Sequence, residues 1–213
     1  MFEVARGLHI AAGAVALLAF LVPAIARKGG RIHRRVGWVY AGSMAVVAAT
    51  GATLCVLHLL RGDPVGPSVF LLYVAWLSVT SLWTGLRALR TKARRAPGGG
   101  PLDLLVPAVL AAAGVAIGLW GAWSGAIVHL AFGVLGAALG LSHLRYWRTA
   151  PTDGRHWYDA HSGNLIGAGI ATFTAFAVVN AAHLGLSGTL AWLLPTLIGV
   201  PVIAVVQRRP QHA

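Results

Sequence analysis

The sequence predicts an all-α integral membrane bundle of seven transmembrane helices, on three observations. The 213 residues are 57% hydrophobic and only 10% charged, with a mean hydropathy of +0.74, a balance typical of chains whose surface meets lipid. Seven apolar runs each approach the roughly 20 residues a helix needs to cross a bilayer. Basic residues collect in alternate gaps between those runs, which is how a multi-pass chain encodes its direction.

The runs extend from Val4 to Ala26, Val36 to Leu60, Ser68 to Leu89, Leu102 to Trp123, Gly125 to Trp147, Trp157 to His183 and Leu186 to Val206. After the first comes Arg27-Lys28-Gly29-Gly30-Arg31-Ile32-His33-Arg34-Arg35, with five fixed positive charges. Such charge is held on the cytoplasmic side, so the N-terminus is expected outside and, after seven crossings, the C-terminus inside. Of 17 lysines and arginines only Arg6 and Arg61 then fall outside. The leading segment Met1 to Arg6 has no net charge and the cluster follows the apolar run, the reverse of a secretory signal, so the first run reads as a retained helix. Aromatic residues suit the interfaces, with Trp38, Tyr40, Tyr146, Trp147, Trp157 and Tyr158 inside and Trp120 and Trp123 outside.

Only two inner loops are long, Arg90 to Pro101 and Arg148 to His156, so residues 1–213 are expected to form a single membrane domain. The run Pro97-Gly98-Gly99-Gly100-Pro101 lacks the Gly-Lys-Ser/Thr ending of a phosphate loop and reads as a flexible connector. A faint internal repeat is visible. His9 to Gly13 and His129 to Gly133 share the spacing H-x-A-x-G, which would relate helices one to three and five to seven as parallel repeats.

The formal net charge is +12, but its position at the ends of apolar runs points to the bilayer and anionic lipid at the cytoplasmic face as partners, not to nucleic acid. The single cysteine, Cys55, removes disulfide frameworks and c-type haem attachment.

Several segments resemble a known family. They are Leu8-His9-Ile10, Arg27-Lys28-Gly29, His33-Arg34-Arg35 with Gly37, Thr84-Gly85-Leu86-Arg87-Ala88-Leu89, and Ile170 to Asn180. Together they are similar to an uncharacterised family of bacterial multi-pass predicted membrane proteins, the domain of unknown function numbered two-three-zero-six. The resemblance covers the first three helices and the fifth and sixth. It implies a small protein of the bacterial cytoplasmic (inner) membrane, with His9, the His33-Arg34 turn, His161 and Asn180 as matching positions, and implies no activity. Near the inner end of the fifth helix, where the pattern leads one to expect an acidic residue, this chain has His143, and His129 lies outside the pattern.

The nine histidines sort by depth. His9, His58, His129 and His183 fall toward the outer side, His33, His143, His156 and His161 toward the inner, and His212 in the tail. Ionisable residues at membrane depth are functional-site candidates, with interhelical hydrogen bonding as the plain alternative. On the fifth helix His129, Gly133, Gly136, Gly140 and His143 step by four, three, four and three and so share one face. The two imidazoles would lie about 21 Å apart along the axis, the spacing of two stacked haems on one helix, with glycines admitting the macrocycles. His9 would complete an outer axial pair with His129, and His161 an inner pair with His143.

These residues favour a histidine-ligated b-type haem or quinone-linked electron-transfer component, with a quinone or redox protein as partner. A zinc-dependent membrane hydrolase built on His33, His156 and Asp159 is the first alternative, although there is no HExxH motif, and His161 would point away from His156 on one helix. A small carrier or non-catalytic scaffold is the second. Whether the chain is an enzyme stays open.

Overall fold

The computed structural model describes residues 1–208, so Arg209 and His212 lie outside the described residues. All regular structure among the described residues is helical: α1 (Phe2–Ile25), α2 (Arg31–Leu60), α3 (Val65–Arg90), α4 (Pro101–Ser124), α5 (Ile127–Arg148), α6 (His156–Val179) and α7 (Gly188–Arg208). All seven are long and apolar enough to cross a membrane. The chain forms two compact units, Met1–Val79 and Thr80 onward, with the boundary inside α3.

Within the first unit α1 packs along α2, and the Phe20 and Tyr40 rings lie 5.6 Å apart. The α1–α2 turn is built by the basic cluster. The last carbonyls of a helix lack intrahelical donors, and Lys28 Nζ donates to the Pro23 and Ala24 oxygens at 2.7 Å each. His33 Nδ1 donates to the same Pro23 oxygen at 3.2 Å. Gly29, at φ 72°, supplies the left-handed residue that reverses the chain. α2 begins at Arg31, not Val36, because Gly30 caps it, its carbonyl accepting from Arg34 N–H at 3.0 Å. Arginine is a good helix former, and hydropathy delimits only the buried part of a helix.

The second unit is organised by the α4–α5 seam. Asp103, the third residue of α4, accepts the Gly100 N–H through Oδ2 at 2.7 Å, and Pro101 occupies the first turn, where a missing N–H costs nothing. Gly125, at φ 70°, ends α4. Along the seam Gly114 and Gly118 face Gly133 and Gly136, Gly121 faces Leu130, and Gly140 faces Ala111. A Cβ on Gly133 would collide with the Gly118 backbone, one on Gly121 with Leu130 N, and one on Gly140 with the Ala111 backbone. Small residues let two backbones touch where water supplies no hydrophobic drive. α6 pairs with α7, and the rings of Phe132 (α5) and Trp192 (α7) meet edge to face at 5.5 Å.

Three expectations change. α6 stops at Val179, short of His183: Asn180 caps it, Nδ2 donating to the Phe176 carbonyl at 2.9 Å, and residues 181–185 form turns. Tyr40 and Trp147 are buried to 3% and 1% exposure, so neither is an interfacial anchor. The glycine-rich run is docked, since Gly98 N–H donates to the Trp147 carbonyl at 2.9 Å.

The seam predicts a change of sign between two Gly→Ala substitutions. Nothing lies within 4 Å of a Cβ at Gly13, so Gly13→Ala should be neutral or stabilise by about 0.5–1 kcal/mol through helix propensity. Gly133→Ala should destabilise by roughly 1–3 kcal/mol through overpacking. Thermal unfolding of the two variants in the same detergent checks the contrast, and equal shifts would remove the seam from the account.

Candidate functional site

The last turns of α3 carry the polar residues on which the second unit converges. Thr80 and Thr84 are four apart and fully buried, so they share a face. His143 of α5, itself buried, brings Nδ1 to 3.4 Å from Thr84 Oγ1. The Asn164 side chain of α6 hydrogen-bonds the same imidazole while donating through Nδ2 to the Ala160 carbonyl at 2.8 Å. One residue on, the Gly85 carbonyl accepts from His161 Nδ1 at 3.0 Å. Gly85 leaves room for α6 here, since a Cβ would press on the Leu165 side chain and stand 3.1 Å from Asn164 Cβ. Histidines from α5 and α6 thus reach adjacent residues of α3.

One turn further, Arg87 Nε donates to Asp103 Oδ1 at 3.0 Å and Oδ2 at 3.1 Å. The Asp103 side chain is 1% exposed. With Gly100 N–H as a further donor, the carboxylate is held by charge and hydrogen bonds, as a buried ion must be. Asp103 is therefore a carboxylate buried within a membrane-length helix, a group the sequence reading did not single out. Its signal was present in Gly100-Pro101-Leu102-Asp103, which has the spacing of a helix start. Asn164 carried no comparable signal, since only the α6–α5 contact gives it a partner.

At the same end of this unit, Arg94 stacks on Tyr146, its guanidinium 4.6 Å from the ring centroid. It donates to the Tyr146, Thr149 and Ala96 carbonyls at 2.8, 2.7 and 3.2 Å. His156 opens α6 and is not free in the turn. Its Nδ1 accepts from Tyr146 O–H at 3.1 Å and its Nε2 donates to the Lys92 carbonyl at 3.2 Å.

The predicted ligands separate in this geometry. The glycine face of α5 is filled by α4, so Gly133, Gly136 and Gly140 form a helix contact and do not fit a porphyrin; a groove needs a gap that touching backbones remove. His129, at the other end of that face, packs edge-on against Trp120 with centroids 4.7 Å apart. His143 and His161 are brought to one level of α3, where Thr84 Oγ1 and the Gly85 carbonyl meet their Nδ1 atoms.

His9 belongs to the first unit. Thr50 donates its hydroxyl to the Val46 carbonyl at 2.6 Å and therefore accepts from His9 Nδ1, 3.0 Å away. The His9 ring lies against Gly51, with Cε1 3.2 Å from where a Cβ would stand. Within the zinc set, His33 caps α1, both nitrogens of His156 are engaged, and Asp159 Oδ1 is buried without a hydrogen-bond partner. Among the described residues no three His, Cys, Asp or Glu side chains gather where they could hold a metal ion. Arg34 is exposed on the first turns of α2, and Asn180 is a helix cap.

Comparison with protein-family models, curated proteins and solved structures found no match.

The Arg87–Asp103 pair predicts a second stability contrast. Arg87→Met leaves a buried carboxylate without its cation and should cost about 3–5 kcal/mol. Arg87→Met with Asp103→Asn removes the charge yet keeps an acceptor for Gly100 N–H, and should recover most of that loss. Chemical denaturation in detergent checks both, and a double variant no better than the single one would show that the pair is not the source of the effect.

Proposed function

We propose that this chain is a multi-pass protein of the bacterial cytoplasmic membrane, N-terminus outside and C-terminus inside, allied to the uncharacterised family it resembles. We further propose that it is a quinone-linked electron-transfer component whose head-group site is formed by His143 and His161. The observation that carries this reading is the meeting of two imidazoles from different helices on Thr84 and Gly85, one turn from a neutralised ion pair.

The chemistry follows from those partners. A quinone head group is neutral, carries two carbonyl acceptors and enters from lipid, so it suits hydrogen-bonding groups in an apolar wall with no unpaired charge. Arg87, the nearest fixed cation along α3, is neutralised by Asp103. Because a carbonyl can only accept, His161 carries its proton on Nδ1 when neutral, and Nε2 is then the basic nitrogen. An imidazole so anchored has a fixed orientation, which suits it to position a quinone head group by hydrogen bonding. The electrons would pass to a redox partner. Haem b has no part in this version, since the glycine face that was to admit it is filled.

A non-catalytic scaffold is the second reading. The interdigitated glycines and the protein partners of His9, His33, His143, His156 and His161 favour it.

Detergent-purified protein should bind a decyl-tailed benzoquinone in equilibrium dialysis. His161→Asn should weaken binding about tenfold, the worth of one good hydrogen bond. Binding unchanged in the His143→Ala, His161→Ala double variant would remove the quinone site and leave the scaffold. A reducible Soret band or stoichiometric zinc in the same preparation would instead return haem or the hydrolase. The orientation is tested by reporter fusions at Gly62 and Ala213, which should report outside and inside. An outward C-terminus would overturn it.

A further inference from the structure

We propose that the cavity between the α3–α4 and α5–α6 loops is a phosphate-group site, taken up by the head-group phosphate of an anionic phospholipid. Its volume is about 320 Å³, within the range of roughly 300–1,000 Å³ usual for ligand clefts. Lys92, Arg94 and Arg95 line one side, and Thr152, Asp153, Gly154 and His156 the other. Three fixed cations therefore face one carboxylate. That carboxylate is turned onto the backbone, Asp153 Oδ1 accepting the Arg155 N–H at 2.8 Å. α6 starts at His156, so the positive end of its dipole adds to the field.

The walls are held before any ligand arrives. His156 donates to the Lys92 carbonyl and accepts from Tyr146, tying the two loops together. Arg94 donates through its two terminal nitrogens to the carbonyls of residues 96, 146 and 149, which makes it a positioning residue. Lys92 and Arg95, exposed on the same loop, are left to meet the anion.

The depth of the cavity selects lipid as the source of phosphate. It lies where α5 ends and α6 begins, beside Tyr146, Trp157 and Tyr158, and aromatic residues at helix ends mark the head-group level. Lys92 Nζ stands over the Trp157 ring, 4.1 Å from its centroid, a cation–π contact that holds the ammonium beside an aromatic residue of that level. This site is independent of the quinone reading and needs only that the helices span a bilayer.

The test is native mass spectrometry of the full chain in detergent, titrated with phosphatidylglycerol, with phosphatidylcholine and with inorganic phosphate. Phosphatidylglycerol should bind in preference to phosphatidylcholine. Each basic residue near an anionic surface contributes about 1 kcal/mol, roughly fivefold in affinity, so Lys92→Gln with Arg95→Gln should weaken phosphatidylglycerol on the order of 25-fold. Arg31→Gln with Arg35→Gln, an equal charge loss at exposed positions of the first unit, should change it less than about twofold. The charge-keeping pair Lys92→Arg with Arg95→Lys should retain binding and shows that the loop tolerates substitution. Equal weakening by both glutamine pairs, or no preference between the lipids, overturns the site. Inorganic phosphate that binds and displaces phosphatidylglycerol would support phosphate recognition and overturn its assignment to lipid.

Discussion

The structure depends on one constraint: inside an apolar bundle a polar group must find its partner within the protein, because the hydrocarbon offers none. Three of the histidines obey it. His9 bonds Thr50, His143 meets Thr84 and Asn164, and His161 donates to the Gly85 carbonyl. Each contact joins two helices, so the groups that are costly to bury also tie α1 to α2 and both α5 and α6 to α3. Where the partner is a carbonyl or a committed hydroxyl, it also settles which ring nitrogen carries the proton. A structural role and a role in positioning a head group are thus compatible in the same residue.

The α4–α5 seam answers a different need. In lipid there is little gain from bringing apolar side chains together, and helices associate through close contact of their surfaces. Glycines at 114, 118 and 121 of α4 and at 133, 136 and 140 of α5 bring the two backbones into contact over most of the length of both helices. The same spacing would suit a flat cofactor, since both uses require that nothing project from the helix. What distinguishes them is whether a second helix is there.

Charge is used in two regimes. Arg87 and Asp103 are desolvated together, and their geometry, two oxygens on one Nε with a backbone N–H behind, offsets part of that cost. Lys92, Arg94 and Arg95 sit in a cavity at the head-group level of the proposed membrane, where charge attracts anions at longer range and is screened by salt. Two basic clusters that read alike in the sequence, Arg27 to Arg35 and Arg87 to Arg95, therefore do different work: the first caps a helix end, the second pairs a buried acid and walls a cavity.

The number of helices, their apolar character and most of their limits were legible in the sequence, because hydropathy over about 20 residues is a local sum that tertiary contacts hardly alter. Helix ends were less so, since α2 gained five residues and α6 lost four through caps at Gly30 and Asn180. The periodicity of His129, the glycines and His143 was legible as a face, but not what covers it. That His143 and His161 share a level of α3, that Asp103 pairs with Arg87, and that α4 fills the glycine face were decided only by tertiary structure. Spacing along one helix defines a surface, whereas a site is a relation between surfaces of several helices, and no single helix sequence states which neighbour it meets.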